Sequence, residues 1–292
     1  MAPDVVTGLN KDRFKETYCN VIPMNVKVAA KSGGTKSVKA EKITGKSLAA
    51  LNAELRASGF MVRREKERVL PQLPRKNIFF VQMTPDAEIA SLVRQELDLY
   101  EQLQMRIMTA QELMQLRGHI ARVRAQLGLL KAPKIAEFVR HVFDSGEDRV
   151  VLFMLHLEAI ARAADEIRRA GVEVMTLTGA DHPHERYARV QRFQAPGGRR
   201  CIVGQTTASG VGLTMTAARY AVLGEIHWTP AWNDQALDRV HRIGQAHQVQ
   251  APILTFPHAV EERVLRSTAR KALDARSVLD DNLQRMFLEA AE

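Results

Sequence analysis

Residues 201–245 read CIVGQTTASGVGLTMTAARYAVLGEIHWTPAWNDQALDRVHRIGQ, a stretch in which short apolar runs alternate with polar segments. The apolar runs predict strands over Arg200–Gly204 and Tyr220–Ile226, because a strand covered on both faces is apolar along its whole length. A short helix is predicted near Thr214–Arg219 and a second one over Gln235–Ile243. Strands separated by helices in this way indicate a parallel sheet.

The second predicted helix carries two arginines on one face. Asn233 is a good N-cap, and Gly244 is a residue type that commonly ends a helix. Gln235, Arg239 and Arg242 follow at intervals of four and three residues, so all three point the same way. Two guanidinium groups side by side repel each other, and a polyphosphate is the usual anion that relieves the repulsion. A solvated basic helix face is the alternative at this spacing.

The same stretch resembles the fifth and sixth helicase motifs of Swi/Snf-type double-stranded DNA translocases, and it looks most like the annealing-helicase branch. In that family the sixth motif reads Q-x-x-x-R-x-x-R-x-G-Q, which this chain matches at Gln235, Arg239, Arg242, Gly244 and Gln245. Residues Phe60–Lys66 and Val69–Lys76 look like the family's segment between its two ATPase lobes, and Phe14–Cys19 resembles the end of a first lobe. The likeness covers most of the chain and is to the second half of an ATPase.

The resemblance implies roles in nucleotide chemistry. Arg239 and Arg242 would be catalytic residues that enter an ATP site across the cleft between two lobes and stabilise charge on the γ-phosphate. Gln235, Gly210 and Gly212 would lie near the nucleotide. The expected cofactors are ATP and Mg²⁺, with the Mg²⁺ ligands and the phosphate-loop lysine supplied by a first lobe that this sequence lacks. No metal site is expected in the chain itself.

The resemblance also implies contacts with DNA. Three residues with hydroxyl groups follow the strand Arg200–Gly204 and would lie near the DNA backbone: Thr206, Thr207 and Ser209. A glycine-rich turn between strand and helix is the alternative there. His156 would face DNA as part of the fourth motif, although a lone histidine at a strand end is more often an ordinary surface residue. Trp228 and Trp232 are expected to be aromatics that pack between lobes.

The rest of the chain predicts a helical region followed by alternating strands and helices. Thr84–Leu130 has apolar residues at intervals of three and four, which favours a helix. The other predicted helices are Ile135–Phe143, Glu158–Ala170, Glu185–Gln194 and Val260–Asp274, and the other strands are Arg149–Leu155, Val172–Leu177 and Gln250–Phe256. The predicted fold class is therefore α/β, a RecA-like parallel sheet with helices on both faces, preceded by a mainly helical linker and protrusion region.

Charge and composition predict four parts. Residues 1–80 would be a basic remnant of a first lobe with the inter-lobe linker, 81–133 a helical protrusion, 134–280 the helicase C-terminal RecA-like lobe and 281–292 a tail. The net charge is +9, and residues 1–80 hold 16 Lys and Arg against 7 Asp and Glu, whereas the remainder holds 26 of each. Residues 27–47 are rich in lysine and poor in large apolar side chains, so a mobile loop is expected that contacts phosphates or merely keeps the protein soluble.

Ala40–Ser47 fits a relaxed phosphate-loop pattern with alanine in the first glycine position. No apolar strand precedes it, and the glycine that makes the tight turn is missing. Only the helix predicted to follow it, Leu48–Ala57, suits such a loop. No Asp-Glu-x-His sequence, the acidic motif that binds Mg²⁺ in a first lobe, occurs in the 292 residues. Nucleotide binding by this segment is therefore the less favoured reading.

Other features narrow the class of protein. The chain has no apolar run long enough to cross a bilayer, so no membrane partner is expected, and it begins without the pattern of a secretory signal. Cys19 and Cys201 fall in different predicted parts, so neither a disulfide framework nor a metal site is indicated. We therefore expect a protein of the cytoplasm, or of the host cytoplasm if it is viral.

Three functions remain open from the sequence. The favoured one is the second lobe of a Swi/Snf-type ATPase and DNA translocase, acting on double-stranded or branched DNA and completed by a separate first lobe. The second is a DNA-binding or regulatory remnant without turnover. The third is a kinase or nucleotidase built on Ala40–Ser47.

Overall fold

The structure is a computed structural model that describes residues 11–29, 35–45, 48–59, 66–105, 108–208, 213–257 and 259–261. In chain order its elements are α1 (Lys11–Tyr18), β1 (Cys19–Ala29), β2 (Thr35–Gly45), α2 (Leu48–Ala57), α3 (Lys66–Val69), β3 (Lys76–Gln82), α4 (Ala87–Met105), α5 (Ala110–Asp144), β4 (Arg149–Met154), α6 (Leu157–Arg169), β5 (Glu173–Leu177), α7 (Pro183–Gln194), β6 (Arg200–Gln205), β7 (Tyr220–Leu223), α8 (Pro230–Leu237) and β8 (Val249–Thr255).

Six strands form one sheet in the order β3-β8-β7-β4-β6-β5, and every pairing in it is parallel. β4 lies inside the sheet between β7 and β6, and all of its residues are buried. Complete burial is expected where helices cover both faces of a parallel sheet. The predicted parallel sheet with helices on both faces is therefore confirmed.

Two apolar layers cover the sheet. On one face Val190 and Phe193 of α7 pack with Leu237, Val240 and the strand residues beneath them. On the other face α6 and the second half of α5 pack together against the strands. The buried residues of α6 recur at helical spacing: Ala159, Ile160, Ala163, Ala164 and Ile167. Such a stripe is what a helix resting on a sheet requires.

The edge strand β3 comes from the region that the sequence assigns to the linker. β3 pairs with β8 from Lys76 with Val249 to Gln82 with Thr255. The sheet of the predicted lobe 134–280 thus takes one strand from before residue 81. The apolar run Ile78–Val81 is short and far in sequence from its partner, so no local pattern reveals the pairing.

The predicted helical region Thr84–Leu130 is two helices, α4 and α5. Thr109 begins α5 with a reciprocal cap, in which its side chain accepts the Glu112 backbone N–H and the Glu112 carboxylate accepts the Thr109 backbone N–H. α5 then runs past Pro133 and includes the separate helix predicted over Ile135–Phe143. Its apolar residues on both sides of Pro133 are buried, and this packing outweighs the lost hydrogen bond.

The mobile loop predicted over residues 27–47 is instead largely a strand pair. Residues 27–29 belong to β1 and residues 35–45 to β2, which pair antiparallel from Cys19 with Gly45 to Ala29 with Thr35. Residues 30–34 and 46–47 lie outside the described residues. The alternation of Val26 and Val28 with polar residues is a strand pattern that the lysine content obscures. The rejected phosphate loop falls mainly in β2, whereas α2 matches the helix predicted after it.

Three smaller predictions differ. The helix predicted near Thr214–Arg219 is a turn, in which the Ala218 N–H donates to the Met215 carbonyl at 3.3 Å. β7 ends at Leu223 rather than Ile226, because the chain bends at Gly224 and Glu225, whose N–H groups both donate to the Phe153 carbonyl of β4. Of the final predicted helix Val260–Asp274 only residues 260–261 are described, and the tail 281–292 lies outside the described residues.

Candidate functional site

One group of the predicted site residues lies along the carboxyl edge of the sheet, whereas Arg239 and Arg242 lie beside the amino end of β3. His156 follows β4, Thr206 and Thr207 follow β6, and Glu225 follows β7. Because all strands are parallel, their carboxyl ends meet at the same edge, where ligands of such sheets bind. Ser209, Gly210 and Gly212 also follow β6 in the sequence but lie outside the described residues.

The arginine segment, residues 238–242, is not the helix that the sequence predicts. α8 begins after Thr229 and ends at Leu237, so Arg239 and Arg242 lie in the turns that follow it. Spacings of three and four residues suit successive turns as well as a helix, which is why the pattern misleads. Asn233 is not the N-cap: its buried side chain accepts the His227 N–H at 2.9 Å and donates to the His227 carbonyl at 3.0 Å.

Buried neighbours hold the arginine segment in place. Leu237 and Val240 are fully buried in the apolar layer, and the Arg239 carbonyl accepts the Met215 N–H at 2.8 Å. Gln245 donates its side-chain N–H groups to the carbonyls of Ala218 (2.8 Å) and Val240 (3.2 Å). The backbone of the segment is therefore held by buried side chains and by these hydrogen bonds.

The two arginines influence each other electrostatically. Burial lowers the pKa of the Arg239 guanidinium, the nearby charge of Arg242 lowers it further, and Asp238 acts in the opposite direction. Arg239 is half-buried, whereas Arg242 and Gln235 are exposed. An anion bound here would relieve the repulsion between the two cations. It would also replace some of the interactions with water that the Arg239 guanidinium loses on burial. The pair therefore fits a phosphate group of a nucleotide.

The predicted inter-lobe linker is attached to the arginine segment. Lys66 Nζ is 2.8 Å from Asp238 Oδ1, and it also donates to the His241 carbonyl at 3.0 Å. Lys76 reaches Asp238 at 3.4 Å, and His241 Nε2 donates to the Pro74 carbonyl at 2.7 Å. Although partial burial raises the pKa of Asp238, Lys76 and Lys66 lower it overall. Sequence reasoning missed these contacts, because they join residues more than 160 positions apart.

His156 forms a close pair with Glu225. Its Nδ1 lies 2.6 Å from Glu225 Oε1, and the other carboxylate oxygen of Glu225 accepts the N–H groups of Leu155 (2.8 Å) and His156 (3.1 Å). The Glu225 side chain is only 4 % exposed. Burial raises the pKa of Glu225, but the hydrogen bonds and charge that it meets lower it overall. The sequence does not identify Glu225 as a partner of His156.

The predicted DNA contacts after β6 differ in exposure. Thr206 is buried, and its backbone N–H and its hydroxyl both donate to the Met154 carbonyl, at 2.8 and 3.1 Å. Its hydroxyl is therefore used inside the protein, which departs from the prediction that it faces DNA. Thr207, in contrast, is exposed at the edge.

Trp228 connects the loop after β7 to helices α4 and α5. Its ring stacks on Tyr100 of α4 with centroids 5.6 Å apart, and the Arg124 guanidinium of α5 lies 4.3 Å from its centroid. Arg124 also donates to the Ile226 carbonyl at 2.8 Å. Trp228 is thus packed as an aromatic anchor, whereas Trp232 is exposed beside His227.

Two further features bear on the kind of site. Within the part of the chain that the structure describes, no group of three or more His, Cys, Asp or Glu side chains is placed to hold a metal ion. None of the described helices combines the length and the apolar character needed to cross a membrane. A groove of about 410 Å³ lies between α5 and α6 and is lined by residues such as Pro133, Arg140 and Arg169.

Comparison with known proteins points to one domain family. Residues 133–244 match the helicase conserved C-terminal domain. The chain is 27 % identical over 240 residues to an uncharacterized ATP-dependent helicase of Mycoplasma pneumoniae, across 77 % of this chain and 23 % of that protein. It is 26 % identical over 235 residues to the DNA annealing helicase and endonuclease ZRANB3 of Homo sapiens, across 80 % of this chain and 22 % of that protein.

A third relative is a Caenorhabditis elegans homolog of the SWI/SNF-related matrix-associated actin-dependent regulator of chromatin subfamily A-like protein 1, at 29 % identity over 220 residues, 73 % of this chain and 31 % of that protein. The crystal structure of the C-terminal part of the Fun30 ATPase domain superposes with a TM-score of 0.51 at 13 % identity, covering 66 % of this chain and 88 % of that one. The RecA-like fold is thereby confirmed. The chain spans less than a third of the length of the three sequence relatives.

Proposed function

We propose that this chain is the second lobe of a DNA-dependent ATPase and DNA translocase, because residues 133–244 match the helicase conserved C-terminal domain and the chain is similar to a SWI/SNF-related relative. The observation that supports the proposal most directly is the pair Arg239 and Arg242, which repel each other in the turns that follow α8, beside the amino end of β3. A phosphate bound to both guanidinium groups would relieve this repulsion.

In the proposed reaction the two arginines act as catalytic residues on ATP. Their guanidinium groups donate hydrogen bonds to the γ-phosphate oxygens and stabilise the charge that develops as the phosphoryl group is transferred to water. Contributions of this kind are worth roughly 10³–10⁵ in rate, or about 4–7 kcal/mol of barrier. Gln235, Gly210 and Gly212 are proposed as further nucleotide contacts from this lobe.

The other half of the ATP site is proposed to come from a first lobe that acts in trans. The sequence contains no complete phosphate loop and no Asp-Glu-x-His motif. Mg²⁺ would therefore be held by the first lobe, where it neutralises phosphate charge. Within this chain the contacts of Asp238 and His241 with the linker hold the arginine segment in place.

DNA is proposed to lie along the carboxyl edge of the sheet. His156, exposed Thr207 and Ser209 are the proposed backbone contacts, and duplex or branched DNA is the proposed substrate. Thr206 contributes by shaping the loop after β6, since its hydroxyl is already bonded to the Met154 carbonyl.

A second candidate function is a DNA-binding or regulatory subunit without turnover. The incomplete set of nucleotide motifs in this sequence favours it. The two candidates differ in whether a first lobe restores ATP hydrolysis.

ATP hydrolysis by the purified chain, measured with and without duplex DNA, tests the proposal. We expect background turnover for the chain alone and DNA-stimulated turnover when a protein carrying the phosphate loop and acidic motif is added. Robust turnover by the chain alone that Lys46→Ala abolishes would revive a nucleotide site at Ala40–Ser47. Failure of every added first lobe to restore turnover, with DNA binding intact, would favour the subunit without turnover.

A further inference from the structure

The pair formed by Glu225 and His156 has a defined hydrogen-bond direction. A buried carboxylate with a lowered pKa only accepts hydrogen bonds, and Glu225 already accepts two backbone N–H groups on one oxygen. The imidazole nitrogen 2.6 Å from its other oxygen must therefore carry the proton. Neutral His156 is then the Nδ1–H form, and its Nε2 carries a lone pair.

The second ring nitrogen remains available to a ligand. The His156 side chain is 28 % exposed, and its Nε2 makes no hydrogen bond with the part of the chain that the structure describes. A lone pair on Nε2 repels a phosphate oxygen, whereas an N–H at the same position donates to it. With Nδ1 committed to Glu225, Nε2 becomes a donor only when the ring takes up a second proton.

Gly128 of α5 makes this pair possible. A Cβ at residue 128 would lie 2.3 Å from Glu225 Oε1 and 3.3 Å from His156 Nδ1. Glycine inside a helix is roughly 1 kcal/mol less favourable than alanine, and here only glycine leaves room for the carboxylate. Gly128 therefore leaves the space on α5 that the Glu225–His156 pair occupies.

The charges around His156 come from several elements. Glu225 lies on the loop after β7, and Glu96 of α4 is close enough for His156 to lower the pKa of Glu96. Next to Glu96 lie Arg124 and Lys131 of α5, and Glu261 beyond β8. Acidic and basic side chains thus both lie near Glu96, and Glu225 is the group in direct contact with the ring.

We infer that Glu225 is a positioning residue that fixes the tautomer of His156, so that His156 contacts a DNA phosphate only as an imidazolium. The inference rests on the proposed DNA contact of His156 and adds that this contact requires a second proton on the imidazole ring. DNA binding at this edge is accordingly stronger in mildly acidic than in mildly alkaline solution.

Imidazole ¹⁵N NMR of the histidine-labelled full chain tests the positioning role without DNA. We expect neutral His156 to be the Nδ1–H tautomer. In Glu225→Gln the amide oxygen can accept the two backbone N–H groups while the amide NH₂ faces Nδ1, so the tautomer should change to Nε2–H. A wild-type Nε2–H tautomer would overturn the inference, and this measurement does not depend on any variant folding.

Affinity for a short mixed-sequence DNA duplex, measured from pH 6 to pH 8 at constant salt, tests the phosphate contact. We expect wild-type affinity to fall by about tenfold across this range, the size of one charge-assisted hydrogen bond. His156→Gln, whose amide donates at every pH, should lose most of this dependence, while His119→Gln on an exposed part of α5 should keep it.

The two experiments separate the possible failures. An unchanged pH dependence in His156→Gln, with the Nδ1–H tautomer present, would overturn the phosphate contact alone. Absence of DNA binding by the wild-type chain at every pH would overturn the DNA part of the proposed function together with the phosphate contact. The NMR result would still decide the role of Glu225.

Discussion

Arg239 and Arg242 are held differently although they belong to one short segment. Arg239 is half-buried and adjoins Asp238, which also binds two lysines of the linker, whereas Arg242 is exposed. Asp238 is therefore shared between the linker and the neighbouring arginine. A guanidinium group with restricted freedom loses less entropy when it binds a phosphate, so Arg239 is the better organised of the two.

Replacing either arginine tests their role in turnover. In the enzyme completed with a first lobe, we expect Arg239→Ala and Arg242→Ala each to lower the ATPase rate by orders of magnitude with little change in folding or DNA affinity. Arg239→Lys and Arg242→Lys should keep little activity, because an ammonium group cannot make the bidentate contact of a guanidinium group. Arg162→Ala on the exposed face of α6 is the matched control and should change the rate by less than twofold. Unchanged turnover with lost DNA affinity would assign the pair to DNA instead.

Glu96 gives the protein a pH-dependent stability. Burial raises the pKa of Glu96 to about 7, with Glu261 adding to the increase and Arg124 opposing it. The folded protein then holds a proton that the unfolded chain releases near pH 4.3. The contribution of Glu96 to the free energy of unfolding is therefore greatest below about pH 4.5, and it is lost as the pH rises toward 7.

Glu96→Gln should remove this loss. We expect the variant to gain on the order of 1–3 kcal/mol over the wild type at pH 8 and much less at pH 5, because glutamine stays neutral. Urea unfolding at both pH values measures the difference, with Glu88→Gln on the exposed face of α4 as the control. Parallel curves for Glu96→Gln and wild type would show that the carboxyl is not protonated in the folded state.

At the scale of elements, α8 contributes to the site through its buried face. Leu237, its last residue, is fully buried beneath the arginine segment and packs with strands of the sheet. The helix itself spans only eight residues, too few for an independent helix. The position of the arginines therefore depends on packing more than on the helix.

Leu237→Ala tests how much the packing of Leu237 stabilises the fold. We expect a loss of about 2–5 kcal/mol in the free energy of unfolding, the usual range for a buried leucine. DNA affinity per folded molecule should change little, since Leu237 has no surface to contact DNA. Leu157→Ala, at a leucine that is 53 % exposed, should cost less than about 0.5 kcal/mol. A DNA-binding defect in fully folded Leu237→Ala protein would contradict the prediction.

The elements that the sequence predicts well are those with a local signal. β4, β6 and α6 have apolar runs or stripes of the right period, and each is found within one or two residues of its predicted bounds. β3 was missed because an edge strand is defined by its partner β8, which lies about 170 residues later. Glu225 was missed as a partner of His156 for the same reason, since 69 positions separate them. The turns of the arginine segment were taken for a helix because their residue spacing is common to both.

At the scale of the whole molecule, positive charge is concentrated before residue 81. β1 and β2 carry part of this excess on a paired scaffold rather than on the loose loop expected. Lysines recur at short intervals along the sequence of these paired strands, and lysine side chains neutralise DNA phosphates. The salt dependence of DNA binding reports how many of them take part.

Substituting Lys36, Lys39 and Lys42 of β2 by glutamine tests this part of the chain. We expect the slope of log affinity against log salt to decrease by up to about 0.9 for each lysine that neutralises a phosphate. Arg162→Gln, Arg168→Gln and Arg199→Gln together remove the same charge elsewhere on the surface and should leave the slope unchanged. Equal slopes for the lysine variant and the wild type would assign β1 and β2 to solubility alone.

The continuous course of α5 gives the protein a mechanical property. Its 35 residues form a rod about 50 Å long, packed on α4 through Val123 and Leu127 and on the sheet through Ile135 and Val139. Pro133 lies between these two sets of contacts and removes one backbone hydrogen bond of the helix, so the apolar contacts on both sides of it join α4 to the sheet. If the helix stays straight, a rotation of the sheet by about 10° would move a point about 30 Å along the rod by roughly 5 Å. α5 would thus carry a small rotation of the sheet to the protrusion as a translation.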